Sequence, residues 1–312
     1  MHNPGKTSSD VPVYLTLAGV TMIWGGTFVA GRFLGSSLNP VFAASLRFLL
    51  ASLALLGFLW LTRIALVRPT ARQWLRLALL GFFGIFFYNL CFFYGLQYIN
   101  ASRASLIVAL NPAVIGLASW WLFKERLGSM KTAGIVICIV GAALVIVSRN
   151  PQLLSATPDA WMGDLLILGC VLGWGVYSLF SRELNQSLGP VQTVTYSVLI
   201  GTLMLCLLAA ARGELSWTAL NDLGAPQWLS LAYLGVLGSA LAYIGYYHGI
   251  RKIGATRSGV FIALNPLTAV IFGALLLGEQ LTPTMYVGGA LILGGIYFCN
   301  KPLATNAKKR IS

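Results

Sequence analysis

Charge is scarce in this chain of 312 residues: only 9% are Asp, Glu, Lys or Arg, against about 25% in a soluble domain. So little charge cannot cover a globule in water, and lipid is the solvent that tolerates it. Acidic residues are rarer still, with eight carboxylates against 21 Lys and Arg, and none lies near the middle of a long apolar run. Paired cysteines are missing too. Cys91, Cys138, Cys170, Cys206 and Cys299 all fall inside apolar segments with no CxxC or Cys/His spacing, which excludes a zinc site and a disulfide framework and leaves them as small buried side chains. No P-loop, His-Glu-x-x-His, Ser/His/Asp or paired buried carboxylate set is present. ATP is therefore not the drive, no cofactor or metal is expected, and an intramembrane enzyme lacks its catalytic cluster.

What is present is hydrophobic: 57% of the residues. A spanning helix needs roughly 20 mostly apolar residues. Ten such runs are predicted, near 13–34, 40–62, 75–95, 103–123, 131–148, 161–181, 190–211, 227–249, 257–277 and 283–300. The first has one lysine before it and is long enough to span, so it reads as a retained helix rather than a cleaved signal. Prolines and charges fill the breaks. Trp60, Trp74, Trp161, Trp217 and Trp228 lie near proposed ends, as an interfacial belt would.

The net charge of +13 raises nucleic-acid binding only to exclude it, because the basic residues sit in short gaps between apolar runs rather than on one face. They report orientation instead. Ten spans put both ends of the chain on one side. That side collects Lys6, Arg63, Arg68, Arg72, Arg76, Lys124, Arg126, Lys131, Arg182, Arg251, Lys252, Arg257, Lys301, Lys308, Lys309 and Arg310. The other has Arg32, Arg103, Arg149 and Arg212. Sixteen against four predicts cytoplasmic termini.

The sequence also repeats itself. Gly95, Ile99, Ala101, Arg103 and the run Ala109-Leu-Asn-Pro112 recur 154 positions later, as do Glu125, Leu127, Gly134 and Gly141; Trp24-Gly25 recurs as Trp174-Gly175, 150 positions later. Five helices per copy is odd, so the second copy is expected upside down. The charges agree: Lys124, Arg126 and Lys131 match the uncharged Gly278, Gln280 and Met285, while Gln97 and Tyr98 match Arg251 and Lys252. Repeats of this kind mark duplicated transporters. The predicted architecture is an all-α membrane protein of ten transmembrane helices, two inverted five-helix repeats around a central cavity. Residues 1–12 form a cytoplasmic tail, 13–148 the first repeat, 149–160 an external linker, 161–300 the second repeat and 301–312 a basic tail.

Asn111-Pro112 and Asn265-Pro266 stand near the middle of their helices. Proline lacks the N–H that bonds four residues back, so the carbonyls of Val108 and Ile262 should be freed, and lipid tolerates that only where the backbone meets protein or a wet cavity. The pairs read either as polar notches on a solute path or as packing kinks with Asn capping nearby backbone. Arg103 and Arg257 begin helices that Glu125 and Glu279 end, each of the wrong sign for the helix dipole. Two pseudo-symmetric ion pairs, Arg103 with Glu279 and Arg257 with Glu125, are one reading; snorkelling to the interface is the other. Around the expected cavity stand Trp24, Thr27, Tyr88, Asn89, Phe92, Trp174, Tyr177, Ser178, Tyr243, Tyr246 and His248, an aromatic wall with a few hydroxyls that suits amphiphilic solutes. His248 is open to a proton-coupling role or to an ordinary hydrogen-bonding one. Arg47, the one basic residue well inside a span, either snorkels outward or struts neighbouring helices. Asp164 in the first turn of its helix reads as a cap.

Taken in order, Trp24-Gly25-Gly26, Leu46-Arg47-Phe48, Ala109-Leu-Asn-Pro112 with Glu125, Gly163-Asp164, Trp174-Gly175 and Ala263-Leu-Asn-Pro266 with Gly278-Glu279 cover nearly the whole chain. This pattern resembles the EamA-type branch of the drug/metabolite transporter superfamily, and within it bacterial aromatic amino-acid exporters. The resemblance implies a central cavity, alternating access, a small-molecule substrate and a bacterial inner membrane; a monomer already holds both halves. Lacking the mid-helix glutamate of the superfamily's small multidrug pumps, the chain is expected to work by facilitated diffusion or exchange. A drug, sugar or nucleotide-sugar carrier is the alternative solute reading.

Overall fold

A computed structural model describes residues 10–124, 128–149, 159–214, 220–268 and 282–301. Regular structure among them is helical throughout. We number the helices α1 (Val11–Ser37), α2 (Pro40–Thr62), α3 (Ala71–Tyr98), α4 (Ala101–Val108), α5 (Asn111–Phe123), α6 (Ser129–Arg149), α7 (Ala160–Ser187), α8 (Pro190–Ala211), α9 (Ala225–Ile253), α10 (Ala255–Gly259) and α11 (Pro283–Asn300). Eight segments among the described residues are long and apolar enough to cross a bilayer. The predicted span at 257–277 lies partly outside the described residues. Its described part is α10, a 3₁₀ turn at Val260–Ala263 and helical residues 264–268.

Local chemistry sets the ends. Proline opens α2 and α8, where its missing N–H costs nothing. Asn39 accepts from Val41 N, Thr282 from Met285 N, and Thr70 forms a capping box with Gln73. Helix α7 runs to Ser187 and α9 to Ile253, several residues past their predicted ends at 181 and 249, because polar last turns remain helical where they leave the hydrocarbon.

The molecule is inverted relative to a soluble globule. Trp60 is 79% exposed and Trp121 75%, with Leu15, Leu53, Leu203 and Leu229 also facing outward, whereas Thr21, Ser45, Arg47, Asn89, Ser178, Thr193, Ser197 and Ser239 are buried. An apolar outside and a hydrogen-bonded inside is what a bilayer selects.

Equivalent positions of the two halves meet one another. A Cβ at Gly95 would lie 2.8 Å from Ile167 of α7, and one at Gly249, 154 positions on, 2.6 Å from Leu17 of α1; Leu17 and Ile167 are themselves 150 apart. Gly81 abuts the Ser197 carbonyl, and Gly235 that of Arg47. In the seam of α6 and α11, Gly134 faces Gly295 and Gly141 faces Gly288, so close that a Cβ would stand 2.7 Å from the facing carbonyl oxygen. Ser52 and Thr202, 150 apart, share a 2.9 Å hydrogen bond. Both halves also carry a π-helical stretch at the same place, Gly81–Phe87 within α3 and Tyr233–Leu241 within α9.

Tyr14 near the start of α1 and Asn300 at the end of α11 both bind Arg257, which puts the two ends of the helical body on one face, here the terminal face. Lys131, Arg182, Arg251, Lys252 and Arg257 line one recess on it. The opposite, far face holds the ends where α4 and α7 begin.

Candidate functional site: a cavity at the seam of the two halves

Both helix breaks fall at the Asn-Pro pairs. Helix α4 stops at Val108 and α5 starts at Asn111; in the second half the 3₁₀ turn Val260–Ala263 precedes Asn265. Proline removes one main-chain donor at each site. In the first half the side chain of Asn111 makes good the loss, its Nδ2 donating to the Val108 carbonyl at 3.0 Å. That carbonyl can only accept, so the amide nitrogen faces it and Oδ1 points away. The Oδ1 atoms of Asn111 and Asn265 are buried with no donor among the described residues. Gly25 lets α1 pass against the second break, since a Cβ there would lie 2.9 Å from the Asn265 carbonyl.

The breaks open on a cavity of about 30 Å³, room for about one water molecule. It gathers Trp24, Thr27 and Phe28 from α1, Arg47 from α2, Tyr88 and Phe92 from α3, Trp174 from α7 and Tyr243 from α9. Val108 and Asn111 line it from one break, Ile262 and Asn265 from the other. Trp24 and Trp174, equivalent residues of the two halves, meet edge to face with centroids 5.1 Å apart. Trp24 Nε1 donates to the Gly238 carbonyl at 2.9 Å, inside the π-helical stretch of α9, where widened turns present main-chain oxygens.

Two pairs at the same repeat positions flank the cavity. Toward the far face stand Phe28 and Phe92, their rings 5.7 Å apart. Toward the terminal face stand Ser178 and Tyr246, whose hydroxyls lie 3.3 Å apart, backed by Tyr177 on Ser197 (3.2 Å) and by Tyr247, which donates to the Tyr177 carbonyl. Thus Tyr177, Ser178 and Tyr246, expected as cavity lining, form a fully buried layer behind it. Pro112 and Pro266 are buried and shape the breaks. Asn89 also stands one layer back, where its Nδ2 donates to the Ile85 carbonyl.

His248 does not join the cavity. It is exposed, because Tyr243, Tyr246, Tyr247 and Ile250 form the inward face of α9 and a helix turns about 100° per residue.

Arg47 is a strut and more. It is 3% exposed and does not snorkel. Its Nε donates to Ser239 Oγ and its Nη1 to Asn89 Oδ1, both at 3.0 Å, while its guanidinium lies 5.2 Å from the Phe48 ring centroid and 5.8 Å from that of Phe92. Sequence reasoning placed neither Arg47 nor Phe28 on the cavity wall. The spacing held a signal for Phe28, four residues from Trp24 and hence on the same helix face.

At the far face Arg103 grips Asp164 with two prongs, Nε to Oδ1 at 2.7 Å and Nη2 to Oδ2 at 2.6 Å. Asp164 is therefore an ion-pair partner and not the expected cap: α7 begins at Ala160 with Asp159 at the N-cap, and its first turn holds no acidic residue. At the terminal face Arg257 donates to the Tyr14 hydroxyl and the Asn300 carbonyl at 2.7 Å. Tyr14 and Asp164 are 150 apart, so each arginine engages the equivalent place in the opposite half. Glu125 and Glu279 lie outside the described residues.

A model of the EamA-like transporter family matches the chain twice, over residues 11–147 and 161–301. The uncharacterized transporter YetK of Bacillus subtilis is 28% identical over 91% of this chain and 85% of its own length. An uncharacterized transporter of Archaeoglobus fulgidus is 27% identical over 91% and 96%, and a WAT1-related chloroplastic protein of Arabidopsis thaliana 25% identical over 89% and 67%. One crystal structure shares the fold with a TM-score of 0.75 at 21% identity, over 94% of this chain and 99% of that one.

Proposed function

Because the chain belongs to the EamA-like transporter family, we propose that it is an alternating-access carrier exporting neutral amino acids, aromatic ones and threonine among them, by facilitated diffusion or exchange. Its ten helices form two inverted five-helix repeats, its termini are cytoplasmic, and it acts as a monomer in a bacterial inner membrane.

One observation carries this reading: the cavity lies where the halves meet, and equivalent residues of both halves line it, Trp24 with Trp174, Val108 with Ile262 and Asn111 with Asn265. The two closures are equivalent as well. Phe28 and Ser178 are 150 positions apart, Phe92 and Tyr246 are 154 apart. A fold whose two doors are built at the same repeat positions can open one as it shuts the other. A cavity of about 30 Å³ holds no solute in this conformation, so transport requires one door to swing. The aromatic walls suit a solute with an apolar body and a polar end.

The test is uptake into proteoliposomes by the purified chain, with labelled amino acids, sugars and quaternary amines, with and without a pH gradient. Amino-acid uptake indifferent to the gradient is expected; strictly pH-driven movement of cations alone would overturn the reading. Cysteines placed at Arg63 and Lys252 test the topology, since inversion requires both to react from the cytoplasmic side.

A further inference from the structure

A buried cation in a membrane protein has to be neutralised or used. Arg47 lies in the middle of the helix bundle and borders the cavity. Its hydrogen-bond partners among the described residues, Ser239 and Asn89, are neutral. None of the eight carboxylates of the chain stands near the middle of a span. A guanidinium carries five N–H donors. Two are engaged by Ser239 and Asn89, and the others have no acceptor among the described residues. A strut alone would not need the full charge, whose desolvation costs several kcal/mol. Its position in the other half, 150 residues on, is Ser197, which shares a hydrogen bond with Tyr177. The cation is thus an addition to one half and no requirement of the fold.

The same small cavity presents the opposite need. The amide oxygens of Asn111 and Asn265 are buried acceptors without donors among the described residues, and leaving such groups unsatisfied costs about 1–3 kcal/mol each. A wall with spare donors around one positive charge, and two spare acceptors beside it, is complementary to adjacent negative and donor groups on a single solute.

We infer that Arg47 binds the carboxylate of the transported solute, that the Asn111 and Asn265 oxygens receive its ammonium group, and that the substrate class is the free α-amino acid zwitterion. This rests on the carrier reading and sharpens it. Asn89 and Ser239 are positioning residues: each also donates to a carbonyl of a π-helical stretch, Ile85 and Leu234, which fixes its oxygen toward Arg47. The ring-lined remainder of the cavity, Trp24, Trp174, Tyr88 and Tyr243, receives the apolar side chain. Quaternary cations are repelled by Arg47, and sugars leave its charge unpaired.

The experiment is competition against labelled phenylalanine uptake by the wild-type chain in proteoliposomes. Phenylalaninamide lacks the carboxylate, and 3-phenylpropionate lacks the ammonium. Each should compete roughly tenfold worse than phenylalanine or more, the size expected for one lost charge-assisted hydrogen bond. Arg47→Gln should lower phenylalanine uptake about as much, with Arg47→Lys in between. The analogues need no substitution, so the result stands even if a variant at this strut misfolds. Phenylalaninamide competing as well as phenylalanine would overturn the assignment of Arg47 while leaving the carrier reading intact. If sugars or quaternary amines move and no amino acid does, the carrier reading falls first.

Discussion

Phe28 and Phe92 flank the cavity on one side; Ser178 and Tyr246, at the same repeat positions, flank it on the other. The first door is two apolar rings and the second is a hydroxyl pair. The difference teaches what duplication does and does not supply. Duplication yields two doors at equal distances from a shared seam. Divergence makes them unequal, so the two openings need not cost the same. Arg47 against Ser197 makes the same point, since one half places a charge on the cavity wall and the other a hydroxyl that bonds Tyr177 behind it.

The comparison can be broken at the seam. Gly141→Leu and its repeat mate Gly295→Leu each force a side chain against a facing carbonyl oxygen, 2.7 Å and 2.6 Å from where the Cβ would stand. Both should lose well over the ~1–3 kcal/mol of ordinary overpacking, read as a lower melting temperature and less monodisperse protein. A melting temperature unchanged in one of them alone would end the claim that the seam is symmetric.

Next in size is the tryptophan pair. Trp24→Phe strips the donor from the Gly238 carbonyl and should cost about 1–3 kcal/mol of stability. Trp174 Nε1 has no acceptor among the described residues, so Trp174→Phe should cost clearly less. Equal melting shifts would mean that the Gly238 bond contributes nothing.

The doors come third. Tyr246→Phe removes the hydroxyl from the Ser178 pair and should favour opening to the terminal face by about 1 kcal/mol. Labelling of a cysteine at Ser181 from that side should then speed up several-fold. An unaltered labelling rate would remove this bond from the closure.

The smallest effect is expected at the arginines. Arg103 and Asp164 are partly exposed, 18% and 34%, so a double-mutant cycle of Arg103→Gln with Asp164→Asn should give a coupling of at most about 1 kcal/mol. A coupling of several kcal/mol would make the far-face pair a principal latch and sharpen the contrast with Arg257, which holds Tyr14 and Asn300 at 2.7 Å and the Asp10 carboxylate only at 3.8 Å.

What residue order settled alone are the local matters. The described spans fall on the apolar runs because twenty apolar residues in lipid must bond their own backbone. The breaks fall at Pro112 and Pro266 because a missing N–H is a local defect. The basic residues on the ends of α7, α9 and α6 share a recess because their spans alternate in direction. Packing decided the rest. Which face of α9 looks inward, and so whether His248 or Tyr243 meets the cavity, depends on contacts with α1 and α7. Whether Arg47 reaches outward or inward depends on Ser239, 192 residues away; that Asp164 serves an ion pair rather than a cap depends on Arg103, 61 residues away. Helix rotation and side-chain partnership are set by groups that touch only after the halves close on each other, and no window of sequence contains them together.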